Sequence, residues 1–339
     1  MRVLILGGTS FFGKEIAKDF YETGHEVTLF TRGEKSPSDL PALTQVKGNR
    51  QSLDDLQRVN QMGPWDVVID NIGYSGSDGE LLVRAFPKVK RILFTSTISV
   101  YRYGNLQWPL KETEINPQAK PAEENLSDIH WKYARGKLDA ENAVRKAQVP
   151  WTILRPTVVI GPYDVTQRSF WYVSRLLDGG PLLLANGGEQ SFRLAYSLDV
   201  SRAYLDVLGT TKTEGQAYFL AQQEVITLKD YLEVTARALG ITPEWISIPR
   251  EVLGELGGPL ATMANIIPSI TKAMNDFGYR PTPFAKFATT TALWFRDHWQ
   301  GDKAKLLETR SQELALAQQW KESFKNFSRE SGKVSERSQ

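Results

Sequence analysis

The chain has 339 residues, 41% of them hydrophobic and 24% charged, which is typical of a folded globular protein with a sizeable core. Its 41 basic and 39 acidic side chains give a net charge of +2, so overall charge does not point to a nucleic acid or a membrane as partner. The absence of cysteine excludes disulfides and thiol catalysis, and three scattered histidines argue against a metal site. We find neither a signal-peptide core nor an apolar run of membrane length, and we therefore expect a cytoplasmic protein.

The first predicted element is a short buried strand that runs into a glycine-rich turn. Residues 3–6 are apolar, Gly7, Gly8 and Gly13 follow, and apolar residues then recur at helical spacing over residues 16–21. In such a turn the backbone can approach a diphosphate closely, and the next helix offers N–H groups and a partial positive charge. The pattern predicts a nucleotide site. An ordinary strand-to-helix turn, which also needs glycine, is the alternative.

The second predicted strand, residues 27–30, ends at Thr31 and Arg32. In dinucleotide-binding folds this strand end meets the adenosine ribose, where an acidic residue binds the 2′-hydroxyl of NAD and an arginine accommodates the 2′-phosphate of NADP. Thr31 and Arg32 therefore favour NADP. A solvated arginine at a strand terminus explains the sequence equally well, because Glu34 is close.

Two further predicted strands end in small polar residues. Residues 46–50 form a short strand and loop that include Asn49, before a helix capped by Ser52. Residues 65–73 form a strand that ends at Asn71 and Gly73. Such residues at strand ends favour a ligand site, although asparagine and glycine are also common turn formers.

Residues 90–101 predict a fifth strand that passes from apolar residues to hydroxyls at its carboxyl end, the edge where open α/β sheets place their active sites. A later helix carries Tyr133 and Lys137, which are four residues apart and share a helical face. An ammonium group beside a phenol lowers the pKa of the tyrosine, so Tyr133 is a candidate general acid and base. An exposed pair on a solvated face is the alternative. Gly136 predicts close packing, because glycine costs a helix about 1 kcal/mol relative to alanine.

Four segments together resemble the extended short-chain dehydrogenase/reductase superfamily, in particular its NAD-dependent epimerase/dehydratase branch. They are residues 7–13, 94–101, 133–137 and 154–162, and the resemblance extends over roughly residues 1–240. The first segment resembles the GxxGxxG turn of the family, with Ser10 in place of the middle glycine.

The resemblance implies a catalytic trio and an NAD(P) cofactor. Tyr133 would be the acid and base, Lys137 would also hold the nicotinamide ribose, and the family's serine or threonine position falls on Thr97. Ser96 is the substrate-contacting alternative if the register differs by one residue. Arg193 lies roughly where the family binds a substrate phosphate. The residues assigned to the cofactor are Gly7, Gly8, Thr9, Ser10, Phe11, Phe12, Gly13, Thr31, Arg32, Asn49, Asn71, Gly73, Lys137 and Pro156.

The predicted fold is α/β, a doubly wound parallel sheet of the Rossmann type with a smaller, mostly helical C-terminal substrate lobe. We expect the first domain in residues 1–162 plus about 195–222, the lobe in about 163–194 plus 223–327 with a charged helix from Lys303 to Phe327, and a disordered tail in 328–339. The resemblance implies an NAD(P)-dependent oxidoreductase or epimerase that transfers hydride at a carbinol or carbonyl carbon of a small molecule such as a nucleotide sugar. It leaves the oligomeric state open, a homo-oligomer included.

The glycine-rich turn is also similar to that of chloroplast stem-loop RNA-binding proteins. This similarity gives a second hypothesis, a Rossmann-fold RNA-binding or regulatory protein derived from such an enzyme. A protein of that kind would have no need of Tyr133, Lys137 and Thr97. It would need a local cluster of basic residues, and its RNA affinity would depend on salt.

Overall fold

The computed structural model describes residues 1–34, 43–103, 107–116, 128–261, 265–298 and 307–336. The chain divides into two compact units. The first comprises Met1–Val165, Arg193–Glu224 and Ile267–Phe284, and the second comprises Thr166–Phe192, Val225–Ile266 and Ala285–Gln339. The sequence predicts a similar alternation, but it places residues 267–284 in the substrate lobe.

The first unit is built on a seven-stranded parallel sheet. Its strands are β1 (Arg2–Leu6), β2 (Glu26–Thr31), β3 (Thr44–Lys47), β4 (Val67–Asp70), β5 (Arg91–Thr95), β6 (Trp151–Pro156) and β11 (Gln216–Leu220). They lie in the order β3-β2-β1-β4-β5-β6-β11, which confirms the predicted doubly wound α/β fold. The order reverses between β1 and β4, and such sheets bind ligands in the crevice at the carboxyl ends of the strands at this point.

Helices cover both faces of this sheet, which explains why its strands are nearly continuous apolar runs. Val3 and Ile5 pack on one face with the helices that begin at Phe11 and Ser197, whereas Leu4 and Leu6 pack on the other with three more helices of this unit. Successive residues of a strand point to opposite faces of the sheet. Val3 and Ile5 therefore belong to one hydrophobic cluster, and Leu4 and Leu6 belong to the other. The helices of this unit are α1 (Phe11–Glu22), α2 (Leu53–Gln61), α3 (Gly76–Ala85), α4 (Ile129–Val144), α6 (Ser197–Asp206) and α9 (Thr271–Phe277).

The second unit is mostly helical, as predicted. Its helices are α5 (Arg168–Leu177), α7 (Leu228–Leu239), α8 (Arg250–Leu253), α10 (Phe284–His298) and α11 (Arg310–Glu336). Two short strand pairs, β8 (Leu182–Ala185) with β13 (Trp245–Ile248) and β9 (Ser191–Phe192) with β12 (Ile226–Thr227), complete it. Helix α11 packs on α5 through the fully buried Arg175, whose guanidinium donates to both carboxylate oxygens of Glu313 at 3.1 and 2.6 Å. None of the described helices is long and apolar enough to cross a lipid bilayer.

Several element boundaries differ from the sequence expectation. The fifth strand ends at Thr95, because Ser99 turns its N–H back to Thr97 Oγ1 and residues Ile98–Tyr103 then form a 3₁₀ helix. Residues after Pro156 leave the sheet as β7 (Val158–Ile160), which pairs with β10 (Leu194–Tyr196). Helix α11 begins at Arg310 and continues through residues 328–336 of the predicted tail.

The N-terminal caps of α2 and α6 differ. Ser52 caps α2 as expected, since its Oγ accepts from the N–H of Asp55 at 3.3 Å. At α6, Tyr196 is the N-cap residue without a described side-chain capping bond, and Ser197 begins the helix.

Candidate functional site

The turn after β1 has the backbone that a diphosphate cradle requires. Gly7 and Gly8 have φ of 101° and 91°, a region that side chains disfavour. A Cβ on Gly8 would lie 2.9 Å from Leu29 Cδ2, and one on Gly13 would lie 2.5 Å from Asn71 Nδ2. Side chains at these positions would therefore displace the walls of the turn. Phe11 also has a positive φ, of 50°, at the first residue of α1.

Helix α1 directs its amino end into this turn. Ser10 is the N-cap with extended backbone, and among the described contacts its side chain makes no capping hydrogen bond. No acidic residue lies in the first helical turn to neutralise the partial positive charge. The half-buried Thr9 precedes the cap, and the rings of Phe11 and Phe12 contact each other edge to face at 5.3 Å. The turn thus fits the phosphate groups of a nucleotide cofactor.

Asn71 connects three strand ends at the crevice. Its N–H donates to the carbonyl of Leu6 at 3.2 Å, and its Oδ1 accepts from Thr95 Oγ1 at 2.9 Å. Its amide nitrogen faces Gly13 of the glycine-rich turn. Gly73 lies against Phe94, because a Cβ there would come within 2.8 Å of the ring. The structure therefore brings Asn71 together with Gly13 at the carboxyl ends of β1, β4 and β5.

The end of β2 carries Thr31 and Arg32. Thr31 Oγ1 accepts from the N–H of Gly33 at 3.1 Å and from Gln45 Nε2 at 2.7 Å. The Arg32 guanidinium is largely exposed and pairs with Glu34 at 2.9 Å, an exposed ion pair of the kind that contributes little to stability. Arg32 can therefore be drawn to a ligand at small cost. On the next strand end, Asn49 Oδ1 accepts from the N–H of Gln51 at 3.0 Å.

Helix α4 carries the predicted tyrosine and lysine on one face, but in different environments. Tyr133 is 39% exposed, whereas Lys137 is 2% exposed. The Lys137 ammonium donates to the carbonyl of Thr95 at 2.9 Å, which places it at the end of β5. Burial lowers the pKa of Lys137 to about 8, although the nearby carboxylates of Asp70 and Asp78 oppose this change.

The two hydroxyls after β5 differ in their contacts. Ser96 is buried and donates to Glu141 Oε1 at 2.5 Å. Thr97, which is also largely buried, donates to Ser99 Oγ at 3.3 Å and accepts from the N–H of Ser99 at 3.2 Å. Ser96 is thus committed to a carboxylate, whereas Thr97 makes a local turn. Pro156 lies buried at the carboxyl end of β6.

Glu141 anchors α4 to the strand ends. It is fully buried and accepts from Arg155 Nε at 2.8 Å and Nη2 at 2.6 Å, in addition to the bond from Ser96. Burial opposes ionisation of Glu141, but the charges of Arg155 and Arg145 outweigh it and lower the carboxyl pKa. Glu141 is four residues beyond Lys137 on the same helix, so this contact fixes the lysine relative to β5 and β6.

Gly136 marks the closest approach of α4 to the loop after β4. A Cβ at this position would lie 2.3 Å from the carbonyl oxygen of Tyr74, a backbone atom. The predicted close packing is confirmed. A second crossing occurs at Gly79 of α3, where a Cβ would lie 2.6 Å from the carbonyl of Ala140.

Gly136→Ala is expected to lower the free energy of unfolding by about 1–3 kcal/mol. The substitution improves helix propensity, but the contact with Tyr74 forces the helix away from the loop. Urea unfolding would measure the change. Gly209→Ala is the matched control, because a Cβ at Gly209 meets no atom within 4 Å. Equal stability of the two variants would contradict the packing.

Arg193 lies apart from the contacts described above. It is half-buried, its Nη1 donates to the carbonyl of Pro268 at 2.7 Å, and its Nε has no hydrogen-bond partner among the described residues. Burial lowers the pKa of its guanidinium. The structure thus leaves a donor of Arg193 unused.

The comparisons with known proteins agree with this geometry. Residues 7–162 match a family model described as NAD(P)H-binding. The chain contains an NAD(P)H-binding domain. This match agrees with the resemblance to the extended short-chain dehydrogenase/reductase superfamily. The matched range runs from the first glycine of the turn through β7, and it includes Tyr133 and Lys137.

Several activities appear in the names of relatives that match most of this chain. It is 27% identical to a chloroplast stem-loop binding protein of 41 kDa from Arabidopsis thaliana over 83% of the chain and 75% of the relative. It is 24% identical to a UDP-N-acetyl-alpha-D-glucosaminuronate decarboxylase from Bacillus cytotoxicus over 87% of the chain and 98% of the relative. A UDP-glucose 4-epimerase from Thermus thermophilus, solved with NAD, has the same fold, with a TM-score of 0.69 at 21% identity over 88% and 100% of the two chains.

The sequence analysis did not identify three residues of the candidate site, namely Glu141, Arg155 and Tyr74. Glu141 lies four residues after Lys137 and shares its helical face, so the helical spacing alone could have indicated that it belongs to the site. Its partner Arg155 lies 14 residues further along the chain, on a strand, and no local pattern connects the two. Tyr74 gave no sequence signal beyond its place after Gly73. Its ring lies 4.4 Å from the Lys137 ammonium and 6.4 Å from the Tyr133 ring.

Proposed function

We propose that the chain is an NAD(P)-dependent oxidoreductase or epimerase of the extended short-chain dehydrogenase/reductase type. The observation that carries the proposal is the position of Lys137, whose ammonium reaches the carbonyl of Thr95 at the sheet edge that also holds the glycine-rich turn. Helix α4 presents Tyr133 one helical turn before it, partly exposed to a ligand. A cofactor cradle and a phenol–ammonium pair at one edge suit hydride transfer at a carbinol or carbonyl carbon.

In this proposal each side chain has one task. Tyr133 exchanges a proton with the substrate oxygen, and Thr97 donates a hydrogen bond to the same oxygen. The Lys137 ammonium favours the phenolate form of Tyr133 and holds ribose hydroxyls. NAD(P), when bound in the turn, supplies the hydride acceptor or donor. Ser96 is assigned to the anchoring of α4, because its hydroxyl is committed to Glu141.

The substrate class is a small molecule with an oxidisable hydroxyl or a carbonyl, and a nucleotide sugar is the first choice. Two kinds of observation support this choice. The names of similar proteins include a nucleotide-sugar decarboxylase and a nucleotide-sugar epimerase. The half-buried Arg193 stands at the position that the resemblance assigns to a substrate phosphate, and a guanidinium is the group best suited to bind one. Oxidation or epimerisation of UDP-sugars by the purified protein, followed by cofactor absorbance and product chromatography, is the direct test.

We further propose that the cofactor is NADP rather than NAD. Arg32 follows β2 at the predicted ribose position, and Lys47, paired with Thr31 across the strands, brings a second cation to this end of the sheet. Two cations favour a 2′-phosphate over a free hydroxyl.

Arg32→Ala is expected to weaken NADPH binding about tenfold and to leave NADH binding nearly unchanged, because only NADPH carries the phosphate that the guanidinium would contact. Fluorescence titration of both cofactors measures the difference. Arg84→Ala is the control, since Arg84 is exposed in the last turn of α3, which leads away from the carboxyl edge. An equal loss for the two cofactors would argue against a 2′-phosphate site at Arg32.

An RNA-binding function is the second candidate, and the similarity to a chloroplast stem-loop binding protein favours it. The structure adds one feature that suits RNA. The guanidinium of the half-buried Arg102 lies 5.5 Å from the ring of Trp131, which is also half-buried. Aromatic and arginine side chains stack on unpaired bases. Titration of an RNA hairpin at several salt concentrations tests this candidate function. Affinity that falls as salt rises would support it, whereas affinity that is absent or independent of salt would eliminate it.

A further inference from the structure

Tyr74 is held in a fixed position beside the candidate site. Its N–H donates to Asp78 Oδ2 at 2.8 Å, within the capping box at the start of α3. Its carbonyl oxygen faces Gly136 at a distance that leaves no room for a Cβ on α4. Two elements therefore fix the Tyr74 backbone relative to the helix that carries Tyr133 and Lys137.

The ring of Tyr74 covers the Lys137 ammonium. The ring centroid lies 4.4 Å from Lys137 Nζ, and the ring of Phe94 lies 5.5 Å from it. Lys137 is 2% exposed, whereas Tyr74 is 53% exposed, so the tyrosine separates the ammonium from solvent. The one described hydrogen bond of this ammonium is the bond to the carbonyl of Thr95.

A ring face and a sugar hydroxyl bind an ammonium group in different ways. The ring attracts the charge through its quadrupole and accepts no ordinary hydrogen bond. An ammonium has three N–H donors, and a ribose diol would satisfy those that Thr95 leaves over. The Tyr74 ring lies against the Lys137 ammonium in the free protein, so a ribose and the ring compete for the same space beside it.

We propose that Tyr74 is a gate over Lys137, which shields the ammonium in the free protein and turns aside when the cofactor ribose binds. This proposal rests on the proposed cofactor site. The gate lowers the apparent affinity for the cofactor. Only the fraction of molecules in which the ring has turned aside can bind it, and the apparent affinity is reduced by that fraction. The fixed backbone restricts the movement to the side chain, whose exposed half gives it room to rotate.

The first test labels lysines with an amine-reactive reagent, acetic anhydride, and follows Lys137 by mass spectrometry in the absence of cofactor. We expect Lys137 to react at least about fivefold faster in Tyr74→Ala than in the wild type, because the ring no longer shields the ammonium. Tyr74→Phe retains the ring and is expected to react like the wild type. If Tyr74→Ala does not fold, as judged by thermal unfolding, Tyr74→Ser replaces it, since serine also removes the ring and uncovers the ammonium.

The second test titrates NADPH into the same variants. We expect about three- to tenfold tighter binding in Tyr74→Ala than in the wild type and unchanged binding in Tyr74→Phe. Equal labelling of Lys137 in all variants, or equal or weaker NADPH binding in Tyr74→Ala, would overturn the gate while the cofactor proposal stands. Absence of NADPH and NADH binding in the wild type would instead refute the cofactor proposal, and the gate with it.

Discussion

Tyr133→Phe is expected to lower the turnover number by about 10²- to 10⁴-fold and to leave the affinity for NAD(P)H nearly unchanged. The substitution removes only the hydroxyl that would exchange a proton with the substrate. The ring is 39% exposed and contacts Tyr74 at 6.4 Å, so phenylalanine can occupy the same space without disturbing α4. Turnover is measured by absorbance at the reduced-cofactor band with the best substrate from the UDP-sugar screen.

Tyr21→Phe is the matched control for this experiment. The Tyr21 side chain is 41% exposed, similar to Tyr133. It lies near the carboxyl end of α1, whereas the glycine-rich turn lies at the amino end of this helix. Its variant is expected to turn over like the wild type. Full activity of Tyr133→Phe would remove the acid and base role, whereas a parallel loss of cofactor affinity would indicate that the variant perturbs the site as a whole.

Arg155→Met is expected to lower the free energy of unfolding by about 3–5 kcal/mol, the second large effect. Arg155 is 1% exposed and makes two hydrogen bonds to the fully buried Glu141. Without the guanidinium, the buried carboxylate of Glu141 loses two hydrogen bonds and its nearest positive charge. A buried charge that has lost its partner is strongly destabilising. Urea unfolding at neutral pH measures the loss.

A partly exposed ion pair on α4, the helix that carries Glu141, provides the comparison. Arg135 pairs with Asp139, and both side chains are partly exposed. Arg135→Met should therefore cost at most about 1 kcal/mol. In the double variant Glu141→Met/Arg155→Met the losses should be less than additive, because no buried charge remains without its partner. Additive losses, or an Arg155→Met effect no larger than that of Arg135→Met, would contradict the anchoring role.

The glycine-rich turn and the helix with Tyr133 could be predicted because their signals are local. Strand β1, the turn and α1 follow from an apolar run, glycines and helical periodicity within about twenty residues. The shared face of Tyr133 and Lys137 follows from their spacing, and the close packing at Gly136 follows from the poor helix propensity of glycine. The parallel sheet was predicted from the alternation of such segments.

The remaining features depend on contacts between distant segments. The end of β5 at Thr95 is set by a turn of Thr97 and Ser99 that a run of β-branched residues conceals. The role of Ser96 as an anchor depends on Glu141, 45 residues away, and the position of Tyr74 depends on Gly136. Residue spacing along the chain carries no information about such pairs, so the sequence indicated the helix with Tyr133 and Lys137 but not what holds it in place.

The central claim is that the turn from Gly7 to Gly13 binds NADP, and titration of NADPH and NADH side by side into the wild type and Gly13→Val tests it most directly. Saturable fluorescence changes in the wild type, tighter for NADPH and lost in Gly13→Val, are predicted, because valine would collide with Asn71 in the cradle. Thermal unfolding of the variant verifies that it is folded. Absence of saturable binding in the wild type, or equal binding in Gly13→Val, would contradict the claim.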